Sequence, residues 1–290
     1  MRHSARSERM KLRHQQYGKA RVRVMKVTRR AKQHELKEVE VSVMLEGDFT
    51  KSYTDGDNSA VVPTDTMKNT VNALAKKHLG AEIETFGLSL GGHFLKRYAQ
   101  VRQVTIQLTE RLWQRMPVNG RPNRHSFIGS AKEQPFAKVV CSRGRAVVES
   151  GIQDLLILKT TESGFEGFPR CEFTTLPETK DRIMATNLAA SWVYERTPAS
   201  YAKANAKILA AMLKVFATQY SPSVQTTLYQ MAEAALRAVP QISRVNLKMP
   251  NKHCLLINLA PFGLENENEI FVPTDEPHGQ IEATVTRDWK

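Results

Sequence analysis

Two short junctions in the chain carry residue types suited to proton transfer. In "NSAVVPTDTMKNTVNALAKKH", Asn58 to His78, the residues Ala60, Val61 and Val62 read as the end of a strand. Met67, Val71, Leu74 and Ala75 recur at the spacing of one helix face, roughly from Thr66 to His78. Between them stand Pro63, Thr64 and Asp65, a hydroxyl and a carboxylate at a helix start. In "MPNKHCLLIN", Asn251, Lys252 and His253 occupy a comparable boundary between two strand-like runs. Thr64 or Asp65 can serve simply as a cap that accepts a backbone N–H. The same place also offers backbone amides and the positive helix end to an anionic or electron-rich ligand. A loop histidine is equally compatible with a plain surface role. Residue types alone leave both readings open at both junctions.

The motif scan narrows the chemistry by exclusion. There is no G-x-x-x-x-G-K-[ST] phosphate loop, and the glycines of "GLSLGGHF" have the wrong spacing for a dinucleotide fingerprint. No HExxH, zinc-deaminase or G-x-S-x-G pattern occurs. The eight histidines are dispersed, so no metal and no recognisable cofactor is expected. Cys141, Cys171 and Cys254 are odd in number and far apart, which fits neither a disulfide framework nor a close-set zinc site.

The 290 residues suggest two ordinary domains, and the net charge of +13 raises the question of where that charge sits. Residues 1–37 hold thirteen Lys or Arg against Glu8 and Glu35, an excess of eleven. The basicity therefore belongs mostly to the N-terminal segment, residues 1–30, whose first dozen residues lack apolar periodicity, and a disordered basic extension is expected over residues 1–14. A nucleic-acid-binding arm is the alternative reading of that segment. No apolar run approaches the length of a membrane span, no secretory core follows the basic start, and "TRDWK" is no peroxisomal address. A cytoplasmic location is expected.

The elements that must position these residues follow from periodicity. "RVRVMKV" and "VEVSVML" alternate as strands, two helical stretches follow Pro63, "QVTIQLTERLW" returns to strand, and "KVVCSRGRAVVESG" reads as a further strand or hairpin. Phe86, Leu90 and Phe94 mark the second of those helices. The order repeats with "DLLILKTT", "DRIMATNLAASWVYE", two long helices, "ISRVNLKM" and "HCLLINLA". In the last helix Ser221 is placed to cap and Pro222 to occupy the first turn. The pattern predicts an α+β chain of two ββααββ units, residues 15–149 and 150–290, each an antiparallel sheet with its helices on one face. Open sheet edges must be covered or paired, so homo-oligomerisation is expected.

"YGKARVRV", "DNSAVVPTDTMKNTV", "GFEGFPRCEFTTLPETKDRI", "SPSVQTTLYQMAE", "MPNKHCLLINL" and "GLENENEIFVPTDEPHGQIEATV", in that order, closely resemble the urate oxidase (uricase) family. The resemblance spans the chain except its basic extension. It implies two tunnelling-fold (T-fold) units assembled into a barrel-shaped homotetramer, with active sites at subunit interfaces. It also implies cofactor-free oxidation of urate by dioxygen and water to 5-hydroxyisourate and hydrogen peroxide. Carried over by motif, Lys19 and Thr64 become a catalytic pair and His253 the histidine that polarises their relay. Phe165 becomes the ring stacked on the purine, and Arg182 and Gln225 the clamp on one edge of urate. Val224 and Asn251 line the same pocket, and the main-chain amides of Thr64 and Asp65 face the opposite edge. The chain departs from the family at Cys171 and Phe173, where Asp and Tyr are common.

The implied chemistry is coherent. Urate is an electron-rich monoanion that reduces dioxygen once a second proton leaves, so urate and dioxygen suffice as partners. An ordinary lysine, with a reference pKa near 10.4, is a poor base at neutral pH, so its role calls for burial or neighbouring positive charge. The rival readings are a catalytically impaired member of the same family and a nucleic-acid-binding protein that uses the basic arm. The second leaves Arg182 and Gln225 unexplained, and nucleic acid is not the expected partner.

Overall fold

The computed structural model describes residues 10–130 and 133–288. Its first half runs β1 (Tyr17–Arg29), β2 (His34–Gly47), the single-turn α1 (Thr50–Thr54), α2 (Thr64–His78), α3 (Ile83–Arg97) and β3 (Val101–Arg111). A hairpin of β4 (Trp113–Val118) and β5 (Arg121–Gly129) forms a separate two-stranded sheet before β6 (Gln134–Ser142). The second half runs β7 (Arg145–Lys159), β8 (Met184–Tyr194), α4 (Tyr201–Thr218), α5 (Val224–Ala238), β9 (Ile242–Leu256) and β10 (Phe271–Thr286). Apart from α1 and the hairpin, each half follows the predicted strand-strand-helix-helix-strand-strand order.

Eight strands form one antiparallel sheet in the order β1-β2-β3-β6-β7-β8-β9-β10. Alternation along each strand puts every second side chain on one face. Cross-strand register lines these up into a continuous apolar surface. Val41 lies opposite Leu108, Leu108 opposite Ala137, and, beyond Ser150, Trp192 opposite Val245. The helices cover that face with Met67, Val71, Phe86, Leu90, Phe94, Ile208, Met212, Leu228 and Met231, all buried. The other face is polar. Thr284, Asn246, Ser191 and Glu149 hydrogen-bond in a chain across β10, β9, β8 and β7.

Several expectations from sequence need correcting. The division at 149/150 falls inside β7, because the hairpin between β6 and β7 turns at Arg143 and Gly144 and no linker separates the halves. "ISRVNLKM" and "HCLLINLA" are not two strands. They belong to one, β9, which passes through Pro250 where its pairing with β8 lapses between Thr186–Asn251 and Ala189–Lys248. A proline without an N–H is tolerated at such a lapse. The last strand is β10, drawn from the ending that carried no strand assignment. The β4–β5 hairpin was likewise unassigned. Of the expected disordered extension 1–14, residues 1–9 lie outside the described residues, and 10–14 form no helix or strand and are exposed. Among the described residues, no helix is long and apolar enough to cross a membrane.

The helix layers of the two halves are joined by two carboxylates that lead into and begin α3. Glu82 Oε1 accepts from Ser200 Oγ at 2.6 Å and from the Ala202 N–H at 3.1 Å, at the start of α4. Glu84, 3 % exposed, accepts from Ser150 Oγ at 2.6 Å and Asn205 Nδ2 at 2.7 Å. Asn205 Oδ1 in turn accepts from Trp192 Nε1 and from the Tyr194 hydroxyl. Replacing Asn205 by Ala takes the acceptor from the buried Trp192 Nε1 and Tyr194 hydroxyl and leaves Glu84 with Ser150. Asn205→Ala should lower the unfolding free energy in urea by about 2–4 kcal/mol, and an unchanged denaturation midpoint would show that the junction does not hold the halves together.

Candidate functional site

The first group of site residues is assembled around edge strand β1. Tyr17 packs edge-on against Phe49, ring centroids 4.8 Å apart, and its hydroxyl accepts the Val62 N–H at 2.7 Å. Gln100 Nε2 holds the Ala60 carbonyl at 2.7 Å. These bonds fix the segment entering α2 beside Gly18 and Lys19. Gly18 is needed there, since a Cβ would come 1.8 Å from the Val43 carbonyl oxygen. The register breaks just after Lys19, where Arg21 takes φ 57°. Such a bulge bends an edge strand and re-aims the side chain beside it.

Pro63, at φ −55° and ψ 136°, holds the N-cap position of α2 and offers no side-chain cap. The first helical bond is Met67 N–H to the Pro63 carbonyl at 3.1 Å. The amides of Thr64, Asp65 and Thr66 are therefore left without intrahelical partners, at the positive helix end. The cap reading of Thr64 and Asp65 is corrected: they are the first two residues inside the helix, and both are exposed. The Asp65 carboxylate faces its own helix instead, taking Lys68 Nζ at 2.5 Å and Asn69 Nδ2 at 2.8 Å.

The second group is built by the long connection from β7 to β8. Its start docks on the link between α4 and α5. The Ser221 N–H donates to the Glu162 carbonyl at 2.9 Å and the Gly164 N–H to the Ser221 carbonyl at 2.8 Å. Phe165 and Thr179 exchange backbone bonds of 2.7 and 3.1 Å, which bring the far end of the connection back to its beginning. The Tyr220 hydroxyl donates to the Lys180 carbonyl at 3.0 Å. The guanidinium of Arg182 then lies 5.5 Å from the centroid of the Phe165 ring, which is itself stacked on Phe168. Arg182 Nε is buried and has no hydrogen-bond partner among the described residues. Burial lowers the Arg182 pKa from its ordinary value, and Tyr220 opposes that shift.

α5 begins beside this cluster. The N-cap is Ser223, whose Oγ accepts the Thr226 N–H at 3.1 Å. Ser221 and Pro222 therefore precede the helix, a correction to their expected cap and first-turn places. Ser221 Oγ instead accepts from Thr227 Oγ1 at 2.6 Å and donates to the Ser223 carbonyl. This pins the helix start, with Val224 buried and Gln225 exposed in the first turn.

Asn251 and His253 do not sit in a loop between strands. They are alternate residues within β9, on the helix-covered face that also carries Leu247 and Met249. Asn251 lies opposite Thr186 of β8 and Gly279 of β10, and His253 opposite Thr274. The buried Thr186 Oγ1 has no partner among the described residues.

Lys19, Thr64 and Asp65 thus form one group, and Phe165, Arg182, Val224 and Gln225 another, with Asn251 and His253 on β9. A single chain does not bring the groups together. β1 and β9 are six strand spacings apart, roughly 29 Å along the sheet. Cys171 and Phe173 lie on an exposed turn in which the Thr174 N–H donates to the Cys171 carbonyl and Thr174 Oγ1 accepts the Cys171 N–H. Hydrogen bonds from Thr174 and the Phe173 backbone lower the Cys171 thiol pKa. Among the described residues, no group of three His, Cys, Asp or Glu could hold a metal ion.

The sequence profile of the uricase family matches residues 15–140 and 148–282. The chain belongs to the uricase family. It is 42% identical to a uricase of Dictyostelium discoideum over 275 residues, covering 93% of this chain and 96% of that one. With a uricase of Oryctolagus cuniculus the identity is 41%, over 93% of each chain. The crystal structure of uricase from Arthrobacter globiformis superposes with a TM-score of 0.92 at 38% identity, covering 98% of this chain and 97% of that one.

Reading the uricase motifs alone omits what aims them: Tyr17, Gly164, Tyr220 and the Ser221–Thr227 hydroxyl pair. The hydroxyl-rich "SPSVQTT" was the visible signal for the last. Gly164 allows the closest approach, since a Cβ there would meet Tyr220 Oη at 2.3 Å and the Thr179 carbonyl at 2.9 Å. Gly164→Ala should cost about 1–3 kcal/mol through overpacking and speed tryptic cleavage after Arg170 and Lys180. An unaltered cleavage rate would show that this contact does not hold the connection down.

Proposed function

We infer that this uricase-family chain is a urate oxidase: urate, dioxygen and water give 5-hydroxyisourate and hydrogen peroxide. The observation that carries the reading is the Arg182 cluster. A half-buried guanidinium with an orphaned Nε beside an aromatic ring suits a flat anion that stacks on Phe165 and accepts from Arg182. Gln225 offers a donor and an acceptor that fix the ligand's register. The open amides of Thr64 and Asp65 suit the opposite edge of the purine. Thr64 then passes the second proton of urate to Lys19, with His253 polarising that pair and Asn251 and Val224 lining the pocket. The electrons for dioxygen come from the urate dianion itself, so the reaction as read requires no cofactor.

The same reading makes each ββααββ half a T-fold unit and the working protein a barrel-shaped homotetramer, with each site at a subunit seam. Three features support it. Lys19 on β1 and Arg182 in the connection from β7 to β8 stand in separate regions of the fold, and the eight-stranded sheet ends in two strands, β1 and β10, each paired on one side only among the described residues. Large apolar side chains are also exposed near its C-terminal end, at Leu255, Leu256, Phe262, Leu264, Ile270 and Val272. A second copy would satisfy the edges and complete the site.

The test is loss of urate absorbance in the ultraviolet with matched oxygen uptake and peroxide release. Arg182→Ala and Gln225→Ala should each weaken binding of a non-reactive urate analogue by about tenfold or more, the consequence of losing a buried polar contact worth about 1–3 kcal/mol. The melting temperature of the ligand-free protein should barely move, because Arg182 makes no ion pair among the described residues. Unchanged analogue affinity in both variants would reject the assignment of the clamp.

A further inference from the structure

Asp65 stands in the first turn of α2, close to the Lys19 amine, and a carboxylate there could undo the chemistry. An opposite charge favours the protonated ammonium and makes a lysine a poorer base. Yet Lys19 makes no ion pair among the described residues. The reason is visible on α2 itself. Lys68 and Asn69 follow Asp65 by three and four residues, so all three share one helix face. Lys68 Nζ holds Oδ1 at 2.5 Å and Asn69 Nδ2 holds Oδ2 at 2.8 Å. Both oxygens of the carboxylate are occupied.

We propose that Lys68 and Asn69 are positioning residues of this site: by engaging both oxygens of Asp65 they keep that carboxylate from pairing with Lys19, leaving the amine free to take a proton through Thr64. The proposal rests on the reading of Lys19 as proton acceptor. The charge balance agrees with it. The Asp65 carboxyl is held below its usual range chiefly by the hydrogen bond and charge of Lys68, with Asn69 and then Lys19 contributing less. The other charged or titratable groups near Lys19 along β1 and β2 do not compete for it. Tyr17 is engaged with the Val62 N–H, Arg21 pairs with Glu40 at 3.4 Å, and the residue opposite Lys19 is the apolar Val43. Asp65 is thus the carboxylate whose partner decides the state of Lys19.

The experiment is a pH profile of kcat/KM for the intact assembly, comparing Lys68→Gln, Asp65→Asn, the double variant and Lys68→Arg. Lys68→Gln frees Asp65 for Lys19, so the acid limb should move up by about 0.5–1 pH unit, the scale of one near charge at a solvated site. Asp65→Asn should move it down by a similar amount. The double variant should coincide with Asp65→Asn, and Lys68→Arg should retain the original limb. A Lys68→Gln limb that stays in place overturns the proposal, as does a double variant whose shifts simply add, because Lys68 would then act by its own charge and not through Asp65. Competitive acetylation of Lys19 across pH, read by mass spectrometry, follows the same amine without turnover. Shifts in labelling without urate consumption would reject the urate oxidase reading alone, whereas urate turnover with no shift in labelling would reject only the role of Lys68 and Asn69. The Lys68 side chain is 42% exposed, so these variants should keep the fold.

Discussion

An antiparallel sheet that buries one face and leaves the other polar must be covered on the first and must end somewhere at its sides. In this chain β1 and β10 are those ends, and Lys19 stands on the first of them. The buried face sets where the helices lie, and each helix start falls at the end of the sheet. The open sides set which residues are offered outward. A closed single-chain barrel would have had no edge strand on which to mount Lys19 beside the start of α2.

The helix starts share this geometry and use it differently. α4 and α5 have serine caps, Ser200 and Ser223, that satisfy their own amides. α2 begins after Pro63, which offers no side-chain cap, and its first amides are left without intrahelical partners. A proline at that position forces the preceding residue into extended backbone and ends the approach to the helix sharply. The amides are thereby presented with no side chain in front of them. Thr64 and Asp65 are released from capping and become available for other work.

The second group depends on a different device, a long connection held down along its length by backbone bonds. Phe165 and Arg182 are seventeen positions apart and meet because Phe165 pairs with Thr179 and Tyr220 closes on Lys180. The guanidinium is left half-desolvated with one nitrogen unsatisfied, a cost that the fold does not relieve internally. An orphaned buried donor beside an aromatic face is best explained by a ligand that supplies the missing acceptor.

Periodicity in the sequence was enough for the α+β class, the four long helices and most strands of the large sheet, because burial on one side writes a period of two or 3.6 into the residues. The motifs around Lys19, Thr64, Arg182, Gln225 and His253 were legible for the same local reason: each occupies a few adjacent positions. Three things were not legible. Pro250 looked like a strand break, and only pairing with β8 and β10 on either side shows β9 passing through it where one ladder lapses. The ending that forms β10 alternates weakly because much of it is exposed, so no burial pattern marked it. The places of Tyr17, Gly164, Tyr220 and Lys68 depend on contacts between segments distant in sequence, or on which oxygen of Asp65 is already taken. Such contacts leave no period in the chain, and tertiary packing alone decided them.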